Sequence, residues 1–268
     1  MPNIVVLVKQ VLHTAELRVD RAKKALITEG VPRVINEADK NAIEEAVRIK
    51  EKHGGKITAI SLGTPEAKEA LREALAMGVD EAHLLADERF DGSDAHATAN
   101  ALTTAIQKIG FFALSYDLIL AGECSEDQYA FQVAPRIAEN LNLPQLTYAT
   151  RVTLQDGKVV VERELENFRE VCETQPPAMI TVTREINEPR LPTLMAIMGA
   201  SKKPLTVWTA DELGLSAEEL GHEGSLVEVL RTTVATGERK RIKFEGDQKE
   251  VAENLAKALI AERVIKAS

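Results

Sequence analysis

The chain has 268 residues, 44% of them hydrophobic, enough to bury one large core with an appendage and too many for a disordered tail. Lys and Arg number 33 against 42 Asp and Glu, a formal charge of -9, which argues against nucleic acid or an anionic membrane surface as the main partner and leaves small molecules and proteins. The two cysteines, Cys124 and Cys172, lack the paired spacing of zinc or thioredoxin-like motifs, so a reducing compartment without structural disulfides is expected.

The N-terminal Met-Pro-Asn-Ile-Val-Val-Leu-Val-Lys9 offers five apolar residues before a lysine. That is too few for a secretory segment, and no run approaches membrane-spanning length, so the expectation is a cytoplasmic protein. Ile4 to Val8 is a β-branched run suited to a strand buried on both faces. From Asn36 to His53, apolar Ala42, Ile43, Ala46 and Val47 predict a helix that Gly54-Gly55 stops. Ile57 to Leu62 reads as the next strand. Thr64-Pro65 then opens a helix with Ala67, Ala70, Leu71, Ala74 and Leu75 on one face, closed by Gly78. A strand at Ala82 to Ala86, a helix from about Ser93 to Ile109, a strand at Leu118 to Ala121 and a helix ending near Leu141 complete the series. This alternation predicts an α/β fold, a mostly parallel sheet with helices on both faces.

The pattern changes at Leu146. Thr147 to Leu154, the Asp156-Gly157 turn signal, Lys158 to Leu165 and Ala178 to Thr183 read as strands of an antiparallel extension spanning 146–186. The stretch Gly199 to Pro204 reads as a linker closing a first domain of residues 1–204. Residues 205–268 form a C-terminal arm, with a strand predicted around Leu226 to Val234 and a helix from about Gln248 with Val251, Leu255 and Leu259 on one face. So short a segment is marginal as an independent core, and it is expected to pack on the body or on another chain.

Ligands of open α/β sheets bind beyond the carboxyl ends of the strands, where the strand order reverses. The turn Gly122-Glu-Cys-Ser-Glu-Asp-Gln-Tyr-Ala-Phe-Gln-Val-Ala-Pro135 leaves such a strand end. A helix starting just before Pro135 would point unpaired backbone amides at an anion there. By geometry alone the same turn also suits a solvated connection. No G-x-G-x-x-G follows the first strand and no G-x-x-x-x-G-K-[ST] occurs, which leaves a nucleoside-triphosphate enzyme without support. His13, His53, His83, His96 and His222 are scattered, with none beside a nucleophile. Cys124 reads either as a thiol activated by the helix start or as a small buried residue lining the ligand.

Several segments together carry a family resemblance. They are Val8-Lys-Gln-Val11, Val34-Ile-Asn36, Ala42-Ile-Glu-Glu-Ala-Val-Arg-Ile-Lys50, Arg72-Glu-Ala-Leu-Ala-Met-Gly78, the Gly122 loop with Gln132, Leu143-Pro-Gln-Leu-Thr147, Val161 to Thr181 and Asn187-Glu-Pro-Arg190. In their order and spacing, from residue 3 to about residue 205, the chain resembles the β subunit of electron transfer flavoproteins. The resemblance implies an α/β subunit without catalytic side chains of its own, paired with an α subunit that carries the electron-transferring FAD. It also implies an adenine nucleotide whose phosphate rests on the amides of residues 127 to 133. The matching contacts are Leu7, Asn36, Leu62, Gln128, Phe131, Gln132 and Val133, and adjoining Val8, Lys9, Asp39, Gly63, Gly122, Glu123, Cys124 and Asp127 complete the candidate set. Ordinary members hold AMP there. Electron-bifurcating members hold a second FAD, oxidise NADH at it, and resemble this chain in its Gln132-Val-Ala-Pro135, so FAD leads and AMP is the alternative.

Two loops depart from the family pattern: Asp127-Gln-Tyr-Ala130 stands for a common Asp-Gly-Asp-Thr, and Asn36-Glu-Ala-Asp39 for Asn-Pro-Phe-Asp. A glycine pair is replaced by Asn167-Phe168, near Arg163, Glu166 and Glu170, which the resemblance places at or behind an interface. Leu191, Leu194, Met195 and Met198 lie at helical spacing, which by itself suits core packing. The resemblance instead places them, within segment 187–204, in the loop that inserts a leucine, here Leu194, into partner dehydrogenases or a quinone oxidoreductase. Lys202-Lys203 is expected to steer an acidic partner. The rival class is a stand-alone nucleotide-binding regulator of the universal-stress kind.

Overall fold

The computed structural model describes residues 1–20, 22–110, 117–234 and 240–266. In chain order the elements are β1 (Asn3–Leu7), β2 (Gln10–Leu12), β3 (Arg18–Asp20), β4 (Ala25–Ile27), β5 (Arg33–Ile35), α1 (Glu37–His53), β6 (Lys56–Leu62), α2 (Lys68–Met77), β7 (Glu81–Leu85), α3 (Ala95–Lys108), β8 (Leu118–Gly122) and α4 (Val133–Asn140). There follow β9 (Gln145–Gln155), β10 (Lys158–Leu165), β11 (Phe168–Thr174), β12 (Ala178–Val182), α5 (Leu194–Ala200), β13 (Leu205–Trp208), α6 (Ala210–Leu213) and α7 (Gln248–Ala261).

Nine strands form one sheet in the order β11-β10-β9-β12-β8-β1-β6-β7-β13, while β2 pairs with β5 and β3 with β4 in short ribbons. From β9 to β13 the neighbours pair in parallel. The strand alternation divides the core. Ile4, Val6 and Val8 face α1 and α2, with Ala42, Ile43, Leu71 and Leu75 against them. Val5 and Leu7 face α3 and α4, against Leu102, Ile106, Ile137 and Ala138. This is the predicted fold class, helices covering both faces of a mostly parallel sheet.

The antiparallel extension differs from its prediction in two places. β12 does not belong to it: it lies between β8 and β9, parallel to both, and all five of its residues are buried. An uninterrupted apolar strand such as Ala-Met-Ile-Thr-Val needs cover on both faces, which the parallel sheet provides. The extension is the meander β9-β10-β11, whose last strand alternates exposed Arg169, Val171 and Glu173 with half-buried Glu170, Cys172 and Thr174.

Residues 205–208, read as the start of the arm, are the edge strand β13, paired with β7. The strand predicted around Leu226 to Val234 is absent. Those residues run without regular structure and almost entirely exposed. The arm is tied down instead at its root, where Ser225 Oγ accepts from Asp94 N and the Asp94 carboxylate accepts from Leu226 N and Val227 N. The helix α7 beyond has no buried residue. Among the described residues no helix is long and apolar enough to cross a membrane.

Candidate functional site

From β1 the chain passes to β6 and β7 on one side and returns to β8 on the other, so the order reverses at the carboxyl ends of β1 and β8. A cleft of about 370 Å³ opens there, within the range of small-molecule sites. One wall is the set expected from sequence: Leu7, Val8, Lys9, Asp39, Leu62, Gly63, Gly122, Glu123, Asp127, Gln128, Phe131, Gln132 and Val133 all line it. The other wall is Phe90, Asp91, Gly92 and Ser93, with Thr98 and Leu102 of α3. Sequence reading missed this second wall, because nothing in the loop after β7 resembles a ligand motif. The arm's root braces it: Gly221 N donates to Ser93 Oγ and Ser225 Oγ to Gly92 O.

The start of α1 builds the site. Gly122 sits so close to that helix that a Cβ on it would lie 2.5 Å from Asp39 Oδ1 and 2.7 Å from Ala38 Cβ. The approach lets the buried Asp39 carboxylate accept from Lys9 N at 2.8 Å and Gly122 N at 3.2 Å, joining the ends of β1 and β8. Burial pushes the Asp39 carboxyl up to about 7, against the downward pull of those two amides, Asn36 and Lys9. Fully buried Asn36 makes no helix cap. It donates to Cys124 O at 2.9 Å and accepts from Glu126 N at 3.0 Å, so both ends of its amide shape the loop.

Of the expected set, Asn36 and Cys124 lie outside the cleft's lining: the Asn36 amide is engaged by the loop, and Cys124 contributes its carbonyl to that bond. The activated-thiol alternative fails too, since burial and then the acids Glu123, Asp39 and Glu126 push the Cys124 thiol up to about 11. Lys9 Nζ reaches Asp127 at 2.8 Å. Tyr129 and Phe131 take positive φ values of 49° and 56°, which turn the loop sharply into α4. The Val133 and Ala134 amides at the start of α4 have no preceding turn to bond to, and both residues line the cleft; Pro135 has no N–H and Arg136 N donates to Gln132 O. Gln132 accepts from Arg136 Nη2 at 2.8 Å, which keeps its amide nitrogen for another acceptor. The lining cations are Lys9 and Arg33, and the acids are Asp39, Asp91, Glu123 and Asp127. Backbone donors, more than net charge, make this cleft fit for a phosphate.

A second feature is the helix α5. Leu191, Leu194, Met195 and Met198 are between 65% and 91% exposed, so this stripe is not core. Lys203 does not face a partner as expected: its Nζ donates to Leu75 O at 2.8 Å and Val79 O at 2.6 Å. Arg163 and Glu170 pair across β10 and β11 at 2.5 Å, with Thr147 Oγ1 taking a second bond from Arg163. Glu166 is exposed in the turn between these strands, and Phe168 beside it is exposed as well.

Comparison with known proteins agrees with this arrangement. Residues 24–213 match the family model described as the electron transfer flavoprotein domain. The chain is 46% identical over 264 residues to the electron transfer flavoprotein subunit beta of Thermoanaerobacterium thermosaccharolyticum, covering 98% of this chain and 100% of that one. It is 42% identical over 245 residues to the subunit of the same name from Clostridium acetobutylicum, covering 91% of each. With the caffeyl-CoA reductase-Etf complex subunit CarD of Acetobacterium woodii it shares 39% identity over 231 residues, 86% of this chain and 87% of that one.

Proposed function

This chain belongs to the electron transfer flavoprotein family, as relatives named its β subunit show, and on that premise we propose that it forms one half of a cytoplasmic two-subunit carrier. It pairs with a flavin-bearing α subunit, holds a second nucleotide in the cleft beyond β1 and β8, and exchanges electrons with dehydrogenases through the exposed face of α5. The observation that carries the reading is the cleft itself: the Asp39-anchored Gly122 loop and the first turn of α4 meet at the point where the strand order reverses.

FAD is the leading occupant, on the match of Gln132-Val-Ala-Pro135 to the bifurcating pattern. Bound FAD supplies hydride acceptance from NADH and release of single electrons. The chain's part is to bind and orient. Leu7, Leu62, Phe131 and Val133 offer apolar contact, the α4 amides and Gln132 would hold phosphate, and Lys9 is held beside them by Asp127. AMP is the second reading, favoured by a volume of about 370 Å³, near the small end of ligand sites. The relative named as a subunit of a caffeyl-CoA reductase complex supports an acyl-CoA enzyme as electron partner. A stand-alone regulator has no use for an arm whose last helix buries nothing.

The test is co-expression with the α subunit, followed by release and identification of nucleotides. Two flavins per heterodimer and NADH oxidation are expected. One flavin with one AMP would replace the FAD reading by the AMP reading. ATP binding by the isolated chain, with no α subunit required, would favour the regulator.

A further inference from the structure

The helix α5 spans seven residues, buries only Ala200 and turns Leu194, Met195, Ile197 and Met198 to solvent. A helix this short, without a core-facing stripe, has little stability of its own. It is nevertheless held at both ends by polar contacts from distant parts of the chain.

Upstream, Arg190 is forked between two carboxylates of α1. Its Nε and Nη2 donate to Glu44 Oε2 and Oε1 at 2.7 and 3.2 Å, and its Nη1 and Nη2 to Glu51 Oε1 and Oε2 at 2.6 and 3.1 Å. Arg190 N also donates to Glu44 Oε2. The Glu44 side chain is only 4% exposed, and Arg48 donates to it from the other side at 2.7 Å. Three residues before Arg190, at Asn187, and again at Arg184 the chain is gripped: Asn41 Nδ2 donates to Arg184 O, Asn187 O and Asn187 Oδ1, while Asn187 Nδ2 donates to Asn41 O and Glu45 Oε2. Pro189 and Pro192 restrict the backbone on either side of Arg190, so the orientation imposed there passes to Thr193, whose side chain caps α5 at Ala196 N.

Downstream, Arg72 of α2 donates from Nη1 to Ala200 O at 2.7 Å and Lys203 O at 3.1 Å, gathering the carbonyls at the end of α5. Lys203 answers from the α5 side, donating to Leu75 O and Val79 O at the end of α2. A buried carboxylate flanked by guanidinium groups is a poor source of net stability, but it is directional in a way that apolar packing is not.

We propose that Arg190, with Glu44 and Glu51 behind it, and Arg72 are positioning residues: they hold α5 as a formed helix with its apolar face outward before any partner arrives. A preorganised face binds without the loss of freedom that ordering a loose segment would entail. The inference rests on the reading of α5 as the docking helix.

The experiment uses the αβ complex with a purified acyl-CoA dehydrogenase as electron donor, comparing Arg190→Ala, Arg72→Ala and Leu194→Ala with the parent. Both clamp variants are expected to raise KM for the carrier about tenfold with kcat and nucleotide content unchanged, and to speed amide hydrogen exchange at residues 194–200. Arg190→Lys should restore little, because an ammonium group cannot fork between two carboxylates. If Arg190→Ala does not fold, Arg72→Ala, which leaves no acid unpaired, decides. Unchanged KM and exchange in the clamp variants, with KM raised in Leu194→Ala, would overturn the clamp and leave the docking reading standing. Unchanged KM in Leu194→Ala would overturn the docking reading and the clamp with it.

Discussion

Replacing Gly122 by alanine tests the joint on which the nucleotide site depends. The new methyl group would lie 2.5 Å from Asp39 Oδ1, 2.7 Å from Ala38 Cβ and 2.9 Å from Ala38 C, where ordinary carbon contacts lie at about 3.5 Å or more. Asp39 is the one side-chain end there, and it is buried and held by Lys9 N. Ala38 is buried in the first turn of α1, and β8 is fixed between β1 and β12. The helix must therefore withdraw by several tenths of an ångström, stretching the bond from Gly122 N to Asp39. Overpacking of this kind costs about 1–3 kcal/mol and the weakened hydrogen bond about 1 kcal/mol. The sum, roughly 2–4 kcal/mol, lowers the melting temperature by about 5–10 °C in a chain of this size. Because Asn36 is carried by the same turn and holds Cys124 O and Glu126 N, retained nucleotide should fall as well. Calorimetry and nucleotide counts on the αβ complex measure both effects. Gly199→Ala is the control: its methyl group meets nothing within 4 Å, and a helical site should gain up to about 1 kcal/mol. A Gly122→Ala protein that melts like the parent with full nucleotide would refute the reasoning.

Leu194→Ala should leave the unfolding free energy within about 0.5 kcal/mol of the parent and the melting temperature nearly unchanged, since an exposed side chain leaves no cavity. A titration with the partner dehydrogenase should lose about 2 kcal/mol; a lower melting point with unchanged binding would make the stripe packing. Asp39 contributes a pH dependence. Its carboxyl is raised from 3.8 to about 7, so the folded chain binds the proton more tightly and stability falls as pH rises through that window, by an amount on the order of 4 kcal/mol. Melting curves from pH 4 to 8 should show Asp39→Asn without this slope, and parallel curves would refute it. Gln132→Ala should lower nucleotide retention while His96→Ala does not, and equal loss in two folded variants would displace the site.

Sequence patterning reveals half of the cleft. The strand ends at Leu7 and Gly122 and the start of α4 before Pro135 are local signals, with period-2 burial and a proline tolerated only in a first turn. The wall at Phe90 to Ser93 is invisible there because it depends on a crossover and on bracing by Ser225 from the far end of the chain. Asn36 shows the converse: a polar residue at a helix start looks available to a ligand, and the fold gives its amide partners at Cys124 and Glu126 that no local pattern announces. Lys203 was misread for the same reason, since an exposed-looking basic pair gives no sign that one lysine turns back onto the carbonyls of α2. The β12 strand was assigned to the wrong sheet region because sequence neighbours suggested a meander, although its unbroken apolar run already fitted a place between parallel strands.

The helix α7 has a good cap, with Asp247 accepting from Lys249 N and Glu250 N, but no side chain of its own is buried. Among the described residues its side chains are at most half-buried, so little of its free energy of formation comes from packing. Leu255, Ile260 and, just beyond the helix, Val264 stand exposed, so any surface that covered them would stabilise this part of the chain by mass action.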